Sequence, residues 1–551
     1  MDNKPAILKV FTRKYQLSLK PEALAYLDDL LRQHDIQDDQ VQDAMEYIAK
    51  EYMKQDGMAK SQIYASSEDC TTIVSRESLE KIYALMQLDT GNPSATQATL
   101  LDSDELDPEQ HLYFINAMEM PRWLYSHERR SFEKVSGQPS LGGQPTARAQ
   151  FMRDRFNIIR QVVLRNENFS PPAIAGRDRD SYLKLTTTKN LLGRNGERFL
   201  LFGMLTHAPD GRLCLEDLEG RVVLDISETP PGEGLFTEGC FVLVEGDYTE
   251  EDILQVIAMG HPPSERREAA RSIYGHIDFL GKCATTIVED DKFQKQLEGK
   301  DDLSIACISD LWLDSPKTLR GLELILQGYS DSGFIPLVIV LCGNFTSKDV
   351  GQGSGLDIDP NFDALADLLA GYPDVAQRSH FVFVPGPLDP WGSSTLPRPP
   401  LPASFGTRVR AKLPKVHFAS NPCRIKLCGQ EIVVFRHDLM AKMLRNLIGV
   451  KPETDSGDLK RYLVQTILDQ CHLSPLSLSV QPIIWELDHT MRLYPMPTAL
   501  ILADKYERYE LTYEGCHVFN PGTFQGTEFG FSTYYPETRR SEPSRLGEEE
   551  D

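Results

Sequence analysis

Six short apolar runs, each followed by a polar loop, occupy the second half of this 551-residue chain and constrain its fold more than any other feature. In chain order they are SIACIS, PLVIVLC, HFVFV, EIVVF, TALILA and CHVFN. Nearly continuous apolar runs of this length are typical of strands buried on both faces of a sheet. Segments with helical spacing lie between several of them, at 316–327, 362–369 and 459–468. The pattern over 273–535 therefore predicts an α/β domain, whose chemistry would lie on the loops that follow the strands.

Residues 186–262 have a different period, with short β-rich runs separated by turn signals such as Pro209-Asp210-Gly211. Five or so strands at this spacing predict a small closed barrel, for which the OB-fold is the best candidate. Many OB-folds bind single strands through aromatic side chains and a basic groove. This segment is acidic instead, so a protein contact or scaffold role is favoured over nucleic-acid binding. Its acidic residues include Glu216, Asp217, Glu219, Glu245, Asp247, Glu250, Glu251 and Asp252.

The rest of the chain divides into three segments. Residues 1–75 carry two apolar stripes at helical spacing, which predict a helical module of four or five helices. Residues 76–185 are expected to be a linker and a partly ordered connecting segment, with an exposed loop at 137–146 and a helix at 151–164. Residues 536–551 are polar and are predicted to be a disordered tail. The stripes consist of Leu24, Leu27, Leu30 and Leu31, and of Val41, Met45, Ile48 and Tyr52.

Charge and cysteine usage exclude several classes of protein. The formal net charge is −23, which argues against tight DNA binding by this chain alone. It does not exclude membership of a DNA-bound assembly in which another subunit supplies the basic surface. No apolar run approaches the roughly 18 residues that a membrane span requires. The ten cysteines form no CxxC, so we expect reduced thiols and neither a zinc cluster nor any other cofactor.

The loops after the apolar runs carry polar residues in a suggestive order. They read Ser309-Asp310-Leu311-Trp312, Gly343-Asn344-Phe345, Gly386-Pro387-Leu388-Asp389, Arg436-His437-Asp438, Ala503-Asp504-Lys505-Tyr506 and Asn520-Pro521-Gly522. This succession resembles the calcineurin-like metallophosphoesterase family, which carries DxH, GD, GNH(D/E), a further His and GHxH at successive strand ends. In that family these ligands hold two metals that activate water and clamp a phosphate.

The chain departs from that pattern at most ligand positions. The resemblance equates Asp310 with the first aspartate, but Trp312 with its paired histidine and Asn344 with the bridging aspartate. Pro387 and Leu388 take the places of an amide and the catalytic histidine, which leaves Asp389 of that motif. His437 matches the fourth motif, and the GHxH position carries Asp504 without a histidine. Because a neutral amide cannot neutralise two dications, and Trp, Pro and Leu cannot ligate them, the resemblance implies a former metal site without metal or catalysis.

Two other interpretations of the surviving residues stay open. Asp310 and Asp389 could accept hydrogen bonds from backbone N–H groups as loop caps, and His437 could be a buried structural histidine. Alternatively, Asp310, Asp389, His437 and Asp438 could form the reduced site of a divergent metal-dependent phosphoesterase or nuclease.

An acidic OB-fold followed by such a core resembles the B subunits of replicative DNA polymerases, and within that group the epsilon type. The most specific stretches are GMLTHAPDGRLCLEDLEGRVVLDIS, SDLWLD, FVFVPGPLDPW, LPRPPLP, NPCRIKL, YPMPTALILADKYERY and NPGTF. The resemblance implies a multidomain α+β chain. Its parts would be an N-terminal helical bundle like the lid of AAA+ ATPases, an OB-fold barrel and a calcineurin-like α/β/β/α phosphoesterase sandwich.

The same resemblance implies a set of partners in the nucleus. The OB-fold and the sandwich would hold the zinc-binding C-terminal domain of a polymerase catalytic subunit. The helical module would dock on the GINS component of the replicative helicase, and small histone-fold subunits would belong to the same complex. DNA would be contacted mainly indirectly, and no membrane would be involved. A single-strand binder based on the OB-fold is a further alternative, which predicts salt-sensitive DNA affinity.

Overall fold

A computed structural model describes most of this chain, which divides into two compact units, Met1–Glu105 and Leu106–Asp551. None of the helices in the described part of the chain is long and apolar enough to cross a membrane. The described residues are 4–15, 17–33, 41, 44–46, 48–49, 73–74, 76, 79, 107–137, 139, 143, 145–170, 182–230, 232–282, 284–300, 302–348, 358–390, 394–449, 456–525 and 529–546.

The first unit combines helices with one short parallel strand pair. Helix α1 (Lys4–Leu8) continues into a π-helical turn at Lys9–Lys14, and β1 (Ser18–Leu19), α2 (Pro21–Gln33) and β2 (Ile73–Val74) follow. β1 and β2 pair in parallel, which the helical pattern did not predict. Side chains from both predicted stripes are buried in one apolar cluster, including Leu27, Leu30, Leu31, Val41, Met45 and Ile48. Tyr52 lies outside the described residues.

Residues 107–165 are more regular than a connecting segment. They contain a 3-10 turn (Pro108–His111), β3 (Leu112–Asn116), a second 3-10 turn (Ala117–Glu119), a hairpin of β4 (Trp123–Ser126) and β5 (Ser131–Lys134), and α3 (Pro145–Arg165). β3 pairs along its whole length with a strand of the C-terminal region. The prediction of a linker over 76–185 is therefore wrong for β3, which is a strand of the second sheet. The sequence did not show this strand because it is only five residues long and is held in place by pairing with a distant strand.

Five strands, β7 to β11, close the barrel of an OB-fold domain, as the sequence predicts, and the short strand β6 pairs with β7 beside it. Their hydrogen-bonded order is β10-β11-β9-β8-β7-β6, and pairing of β10 with β7 closes the barrel. Helix α3 packs against the barrel, with the rings of Phe156 and Phe202 5.0 Å apart. The strands are β6 (Leu185–Thr186), β7 (Arg198–His207), β8 (Leu213–Glu216), β9 (Arg221–Asp225), β10 (Phe241–Tyr248) and β11 (Ile253–Gly260).

The remaining elements build the C-terminal region. The helices are α4 (Arg267–Tyr274), α5 (Ile287–Leu297), α6 (Pro316–Ser332), α7 (Ile358–Ala370), α8 (Pro373–Arg378), α9 (Thr407–Lys412), α10 (Leu439–Arg445) and α11 (Ser456–Asp469), with a 3-10 helix at Trp485–Met491. The strands are β12 (Ile305–Ser309), β13 (Val338–Cys342), β14 (His380–Val384), β15 (Val416–Phe418), β16 (Cys423–Leu427), β17 (Gln430–Arg436), β18 (Ala499–Ala503), β19 (Tyr509–Tyr513), β20 (Cys516–Asn520), β21 (Phe531–Tyr535) and β22 (Arg540–Ser544).

These strands form two six-stranded sheets that pack face to face. The first has the order β15-β14-β13-β12-β21-β22 and the second β19-β20-β18-β17-β16-β3. Alternate side chains of each strand face opposite layers: Cys307 and Val340 pack between the sheets, whereas Ile308 and Leu341 pack against α6 and α7. The outer face of the second sheet packs against α10 and α11. Each fully buried aliphatic side chain contributes roughly 1.5–3 kcal/mol to the stability of the fold.

The last strand corrects the predicted tail of 536–551. β22 pairs antiparallel with β21 over five residues, and Ser541 is buried where its hydroxyl meets His517 Nε2 at 2.8 Å. The polar composition wrongly predicted disorder, because an edge strand can be polar and can contain a proline such as Pro543. One edge of such a strand needs no hydrogen-bond partner. Residues 547–551 lie outside the described part of the chain.

Candidate functional site

The loops after β12, β13 and β14 meet at one edge of the first sheet, because these strands are parallel neighbours in aligned register. Asp310, directly after β12, accepts hydrogen bonds on Oδ1 from the backbone N–H of Asn344 at 3.1 Å and from Asn344 Nδ2 at 3.0 Å. Asn344 Oδ1 accepts in turn from the backbone N–H of Leu388 at 2.8 Å. The Asn344 amide therefore links the loops that follow three successive strands.

Asp389 closes the same group of loops through its carboxylate. Its Oδ1 accepts from the backbone N–H of Phe345 and its Oδ2 from that of Gly386, both at 2.7 Å. Burial raises the pKa of Asp389 to about 6, although the two N–H donors act in the opposite direction. The interpretation of Asp389 and Asp310 as acceptors for loop N–H groups is confirmed for both residues.

Arg436 occupies the centre of this arrangement, and the sequence motifs did not single it out. It is the last residue of β17, in the second sheet, and its side chain is fully buried. Its Nη2 donates to Asp310 Oδ1 and its Nη1 to Asp438 Oδ1, both at 2.7 Å. Its Nε donates to the Gly343 carbonyl at 2.7 Å, and Nη1 also reaches the Ala503 carbonyl at 3.2 Å. One guanidinium therefore connects strand ends of both sheets.

The charges at this centre compensate one another. Burial alone would lower the pKa of the Arg436 guanidinium, but Asp310 and Asp438 raise it above its ordinary value. Burial would raise the pKa of Asp438, yet Arg436 holds it below its ordinary value. The guanidinium therefore remains charged, and both carboxylates have a fixed positive partner. Charge-assisted hydrogen bonds of this kind are about twice as strong as neutral ones.

His437 and Arg398 are buried side by side near Arg436. His437 is buried, and its Nδ1 lies 3.4 Å from Arg398 Nη2. Burial, followed by the charge of Arg398, lowers the pKa of His437 well below its ordinary value, so the imidazole is neutral at pH 7. Burial also lowers the pKa of Arg398 to about 10. The interpretation of His437 as a buried structural histidine agrees with this position.

The other predicted positions lie around the centre without joining its side-chain network. Trp312, Pro387 and Leu388 are half-buried, and Leu388 takes part through its backbone N–H alone. Asp504 caps α10: its Oδ2 accepts from the backbone N–H of Met440 at 2.8 Å and its Oδ1 from that of Tyr506 at 3.0 Å. The structure thus brings Asp310, Asn344 and Asp389 together, whereas Asp504 serves a neighbouring helix.

Two glycines allow the loops to approach this closely. A Cβ on Gly386 would lie 2.5 Å from Asn344 Oδ1 and 2.7 Å from its backbone nitrogen. A Cβ on Gly343 would overlap Asp389 Oδ2. Glycine is required at both positions because real Cβ atoms do not approach heavy atoms this closely. The glycines of these two sequence motifs therefore have a packing role.

Most carboxylate oxygens at the centre are already bound by N–H donors. Both oxygens of Asp389 and Oδ1 of Asp310 are bound by N–H donors, which leaves Asp310 Oδ2 as the buried oxygen of this pair with no hydrogen-bond partner among the described residues. Within the described ranges, no group of three or more His, Cys, Asp or Glu side chains is arranged to hold a metal ion. A two-metal hydrolase would need several such ligands around open positions.

Comparison with known proteins points in one direction. Residues 305–510 match the family of B subunits of DNA polymerases alpha and epsilon, and residues 145–263 match the DNA polymerase epsilon subunit 2-like OB-fold domain. DNA polymerase epsilon subunit 2 of Homo sapiens is 36% identical over 544 residues, which cover 96% of each chain. The B subunit of DNA polymerase epsilon from Schizosaccharomyces pombe is 31% identical over 567 residues, covering 97% of this chain and 94% of the relative.

Proposed function

Because this chain belongs to the family of DNA polymerase epsilon B subunits, which are accessory subunits in DNA replication, we propose that it acts in the nucleus as a non-catalytic scaffold. Its OB-fold and two-sheet domain would hold the zinc-binding C-terminal domain of the polymerase catalytic subunit. The N-terminal unit, as an AAA+ lid-like helical bundle, would join the polymerase to the GINS component of the replicative helicase. The small histone-fold subunits would be further members of the complex.

The buried Arg436 centre is the observation that carries the non-catalytic part of this proposal. A calcineurin-like sandwich that worked as a hydrolase would need its strand-end carboxylates free to hold two cations. In this chain the Arg436 guanidinium binds Asp310 and Asp438, and backbone N–H groups bind both oxygens of Asp389. Carboxylate oxygens that accept these hydrogen bonds are less available to bind a metal ion. The same contacts connect the two sheets, as we expect for a scaffold that presents a fixed surface to its partners.

The surface of the OB-fold supports contact with protein rather than DNA. Three of its exposed arginines are paired with carboxylates. Arg198 donates to Asp247 at 2.9 and 3.2 Å, and Arg212 Nε donates to Asp210 at 2.7 Å. Arg194 forms a similar pair with Glu197. A basic groove that tracks a phosphate backbone requires cations that are not already neutralised.

Co-purification tests the scaffold proposal directly. The full chain should form a stable 1:1 complex with the zinc-binding C-terminal domain of a polymerase epsilon catalytic subunit when the two are co-expressed. This is the domain that the OB-fold and the two-sheet domain hold under the proposal. Size-exclusion chromatography with light scattering measures the mass of the complex. A soluble, folded chain that elutes as a monomer in the presence of that domain would contradict the proposal.

A divergent phosphoesterase or nuclease is the alternative function. It predicts hydrolysis of bis-p-nitrophenyl phosphate or single-stranded DNA with added Mn²⁺, and loss of that turnover in Asp389→Ala. Under the scaffold proposal, wild type and Asp389→Ala show the same background rate. Comparing both proteins after identical purification separates an intrinsic activity from a contaminating nuclease, because only the former follows the substitution.

We expect weak binding of single-stranded DNA by the isolated chain. With a net charge of −23 and paired arginines on the barrel, few counterions would be released on binding. Fluorescence anisotropy with a labelled 20-nucleotide oligomer at 50 and 200 mM salt should give no saturable binding below about 100 µM, the weak end of non-specific affinities. Micromolar affinity with a steep salt dependence would instead support the single-strand binder.

A further inference from the structure

Asp469, the last residue of α11, is a buried carboxylate at the junction between the OB-fold and the two-sheet domain. It is 3% exposed. The Tyr513 hydroxyl donates to its Oδ1 at 3.0 Å and its Oδ2 at 3.3 Å, and the side chains of Ser264 and Gln465 also hydrogen-bond to it. Ser264 lies on the linker between β11 and α4. The carboxylate therefore touches α11, β19 and that linker.

The surroundings of Asp469 disfavour a negative charge. In the described part of the chain no lysine, arginine or histidine lies within ion-pair distance of it. The charged residue near Asp469 is Glu514, whose side chain pairs with Arg266. The thiol of Cys471 is also buried close to Asp469. The carboxyl end of α11 adds the negative end of a helix dipole. Burial, with Glu514 adding to it, raises the pKa of Asp469 to about 7 against the three hydrogen-bond donors.

The last turn of α11 and the residue that follows it, Gln470, also form hydrogen bonds with the OB-fold. Thr466 Oγ1 accepts from the backbone N–H of Leu235 at 2.8 Å. Gln470 Oε1 accepts from the backbone N–H of Phe241, and Gln470 Nε2 donates to the Phe241 carbonyl, both at 2.7 Å. Thr466 and Gln470 also contact the two ring nitrogens of His261, which stacks on Phe236. We call Thr466, Gln470 and His261 the barrel clamp.

We propose that Asp469 is a pH-sensitive switch that loosens the barrel clamp when its carboxylic acid ionises. Ionisation places an uncompensated charge one residue from Gln470, and the helix end must shift or admit water to solvate it. Because the pKa in the folded state lies above the unfolded value of about 3.9, the protonated acid stabilises the fold at low pH. That contribution decreases from about pH 4 and is lost as pH rises through about 7.

Amide hydrogen exchange at Leu235 and Phe241 tests this switch in the full chain. Corrected for intrinsic rates, the protection of these two amides should fall at least about tenfold between pH 6 and 8, since one pKa unit corresponds to a factor of ten. Asp469→Asn, which keeps the shape without the charge, should abolish this pH dependence. The amides of Val340 and Leu341 in the central strand β13 report the change in global stability with pH, and the loss of protection at Leu235 and Phe241 is compared with that reference.

A second variant gives a shift of predictable direction. Tyr513→Phe removes a donor that favours the ionised form, so the loss of protection should move to higher pH than in wild type. The proposal is overturned if protection at Leu235 and Phe241 is independent of pH in wild type. It is equally overturned if Asp469→Asn keeps the wild-type pH dependence, because the titrating group would then be another residue.

Discussion

Replacing Arg436 with Met should lower the free energy of unfolding by about 3–5 kcal/mol, the range for a buried ion pair that loses one partner. The substitution leaves the carboxylate of Asp310, whose side chain is 1% exposed, without a cation, and removes the charged partner of Asp438. It also leaves the Gly343 carbonyl without its Nε donor. Thermal and urea denaturation of the full chain, followed by circular dichroism, measure the loss.

Two further variants make the Arg436 result specific. Arg436→Lys keeps the charge but cannot fork between Asp310 and Asp438, so its loss should be intermediate. Asp310→Asn combined with Arg436→Met should cost less than the sum of the single changes, because the double variant removes the isolated charge at Asp310 together with its partner. Arg194→Met, which breaks the exposed pair with Glu197, is the matched control and should behave as wild type. Wild-type stability of Arg436→Met would show that the ion pair does not hold the sheets.

The sequence predicted six of the twelve strands in the two sheets, and these six have nearly all of their residues buried. The six apolar runs correspond to β12, β13, β14, β17, β18 and β20, and the helical segments lie inside α3, α6, α7 and α11. A central parallel strand is covered on both faces, so all of its residues tend to be apolar and it is easily recognised as a continuous apolar run. The edge strands β3 and β22 were missed because LYFIN is too short and RSEPS too polar to show any period.

The centre could be predicted only in part, for a related reason. Loops that follow parallel neighbours must meet, so the convergence of Asp310, Asn344 and Asp389 follows from strand order. The direction of the Arg436 side chain does not follow from spacing, because an arginine that ends an apolar strand can equally extend into solvent. The one available signal is its position between EIVVF and His437-Asp438, where a cation would face the carboxylates of the first sheet.

A second buried ion pair should carry a comparable free energy at the junction between α3 and the two-sheet domain. Arg155 Nε donates to Asp488 Oδ1 at 3.0 Å and Oδ2 at 3.3 Å, and its Nη2 also binds Oδ1. Asp488 belongs to the 3-10 helix Trp485–Met491, and His472 Nε2 lies 3.3 Å from its Oδ1. Burial would raise the pKa of Asp488, but Arg155 and then His472 hold it far below its ordinary value.

Arg155→Met should therefore destabilise the chain by about 3–5 kcal/mol, and its first effect should be on the attachment of α3. Burial, followed by the charge of Arg155, lowers the pKa of His472 to about 4, so this imidazole is neutral at pH 7 in the wild type and Arg155 is the cation that Asp488 binds there. Since α3 also packs on Phe202 and Phe241 of the barrel, its release should expose the OB-fold to protease. Limited proteolysis with mass spectrometry, beside thermal denaturation, measures both effects.

The matched control lies on the same helix. Arg153 is exposed two residues before Arg155, so Arg153→Met changes the same charge without breaking the buried pair and should behave as wild type. Asp488→Asn in the Arg155→Met background should recover part of the loss, because the unpaired charge is removed while the side chain keeps its shape. If Arg153→Met and Arg155→Met lose equal stability, helix charge rather than the Arg155–Asp488 contact holds α3 in place.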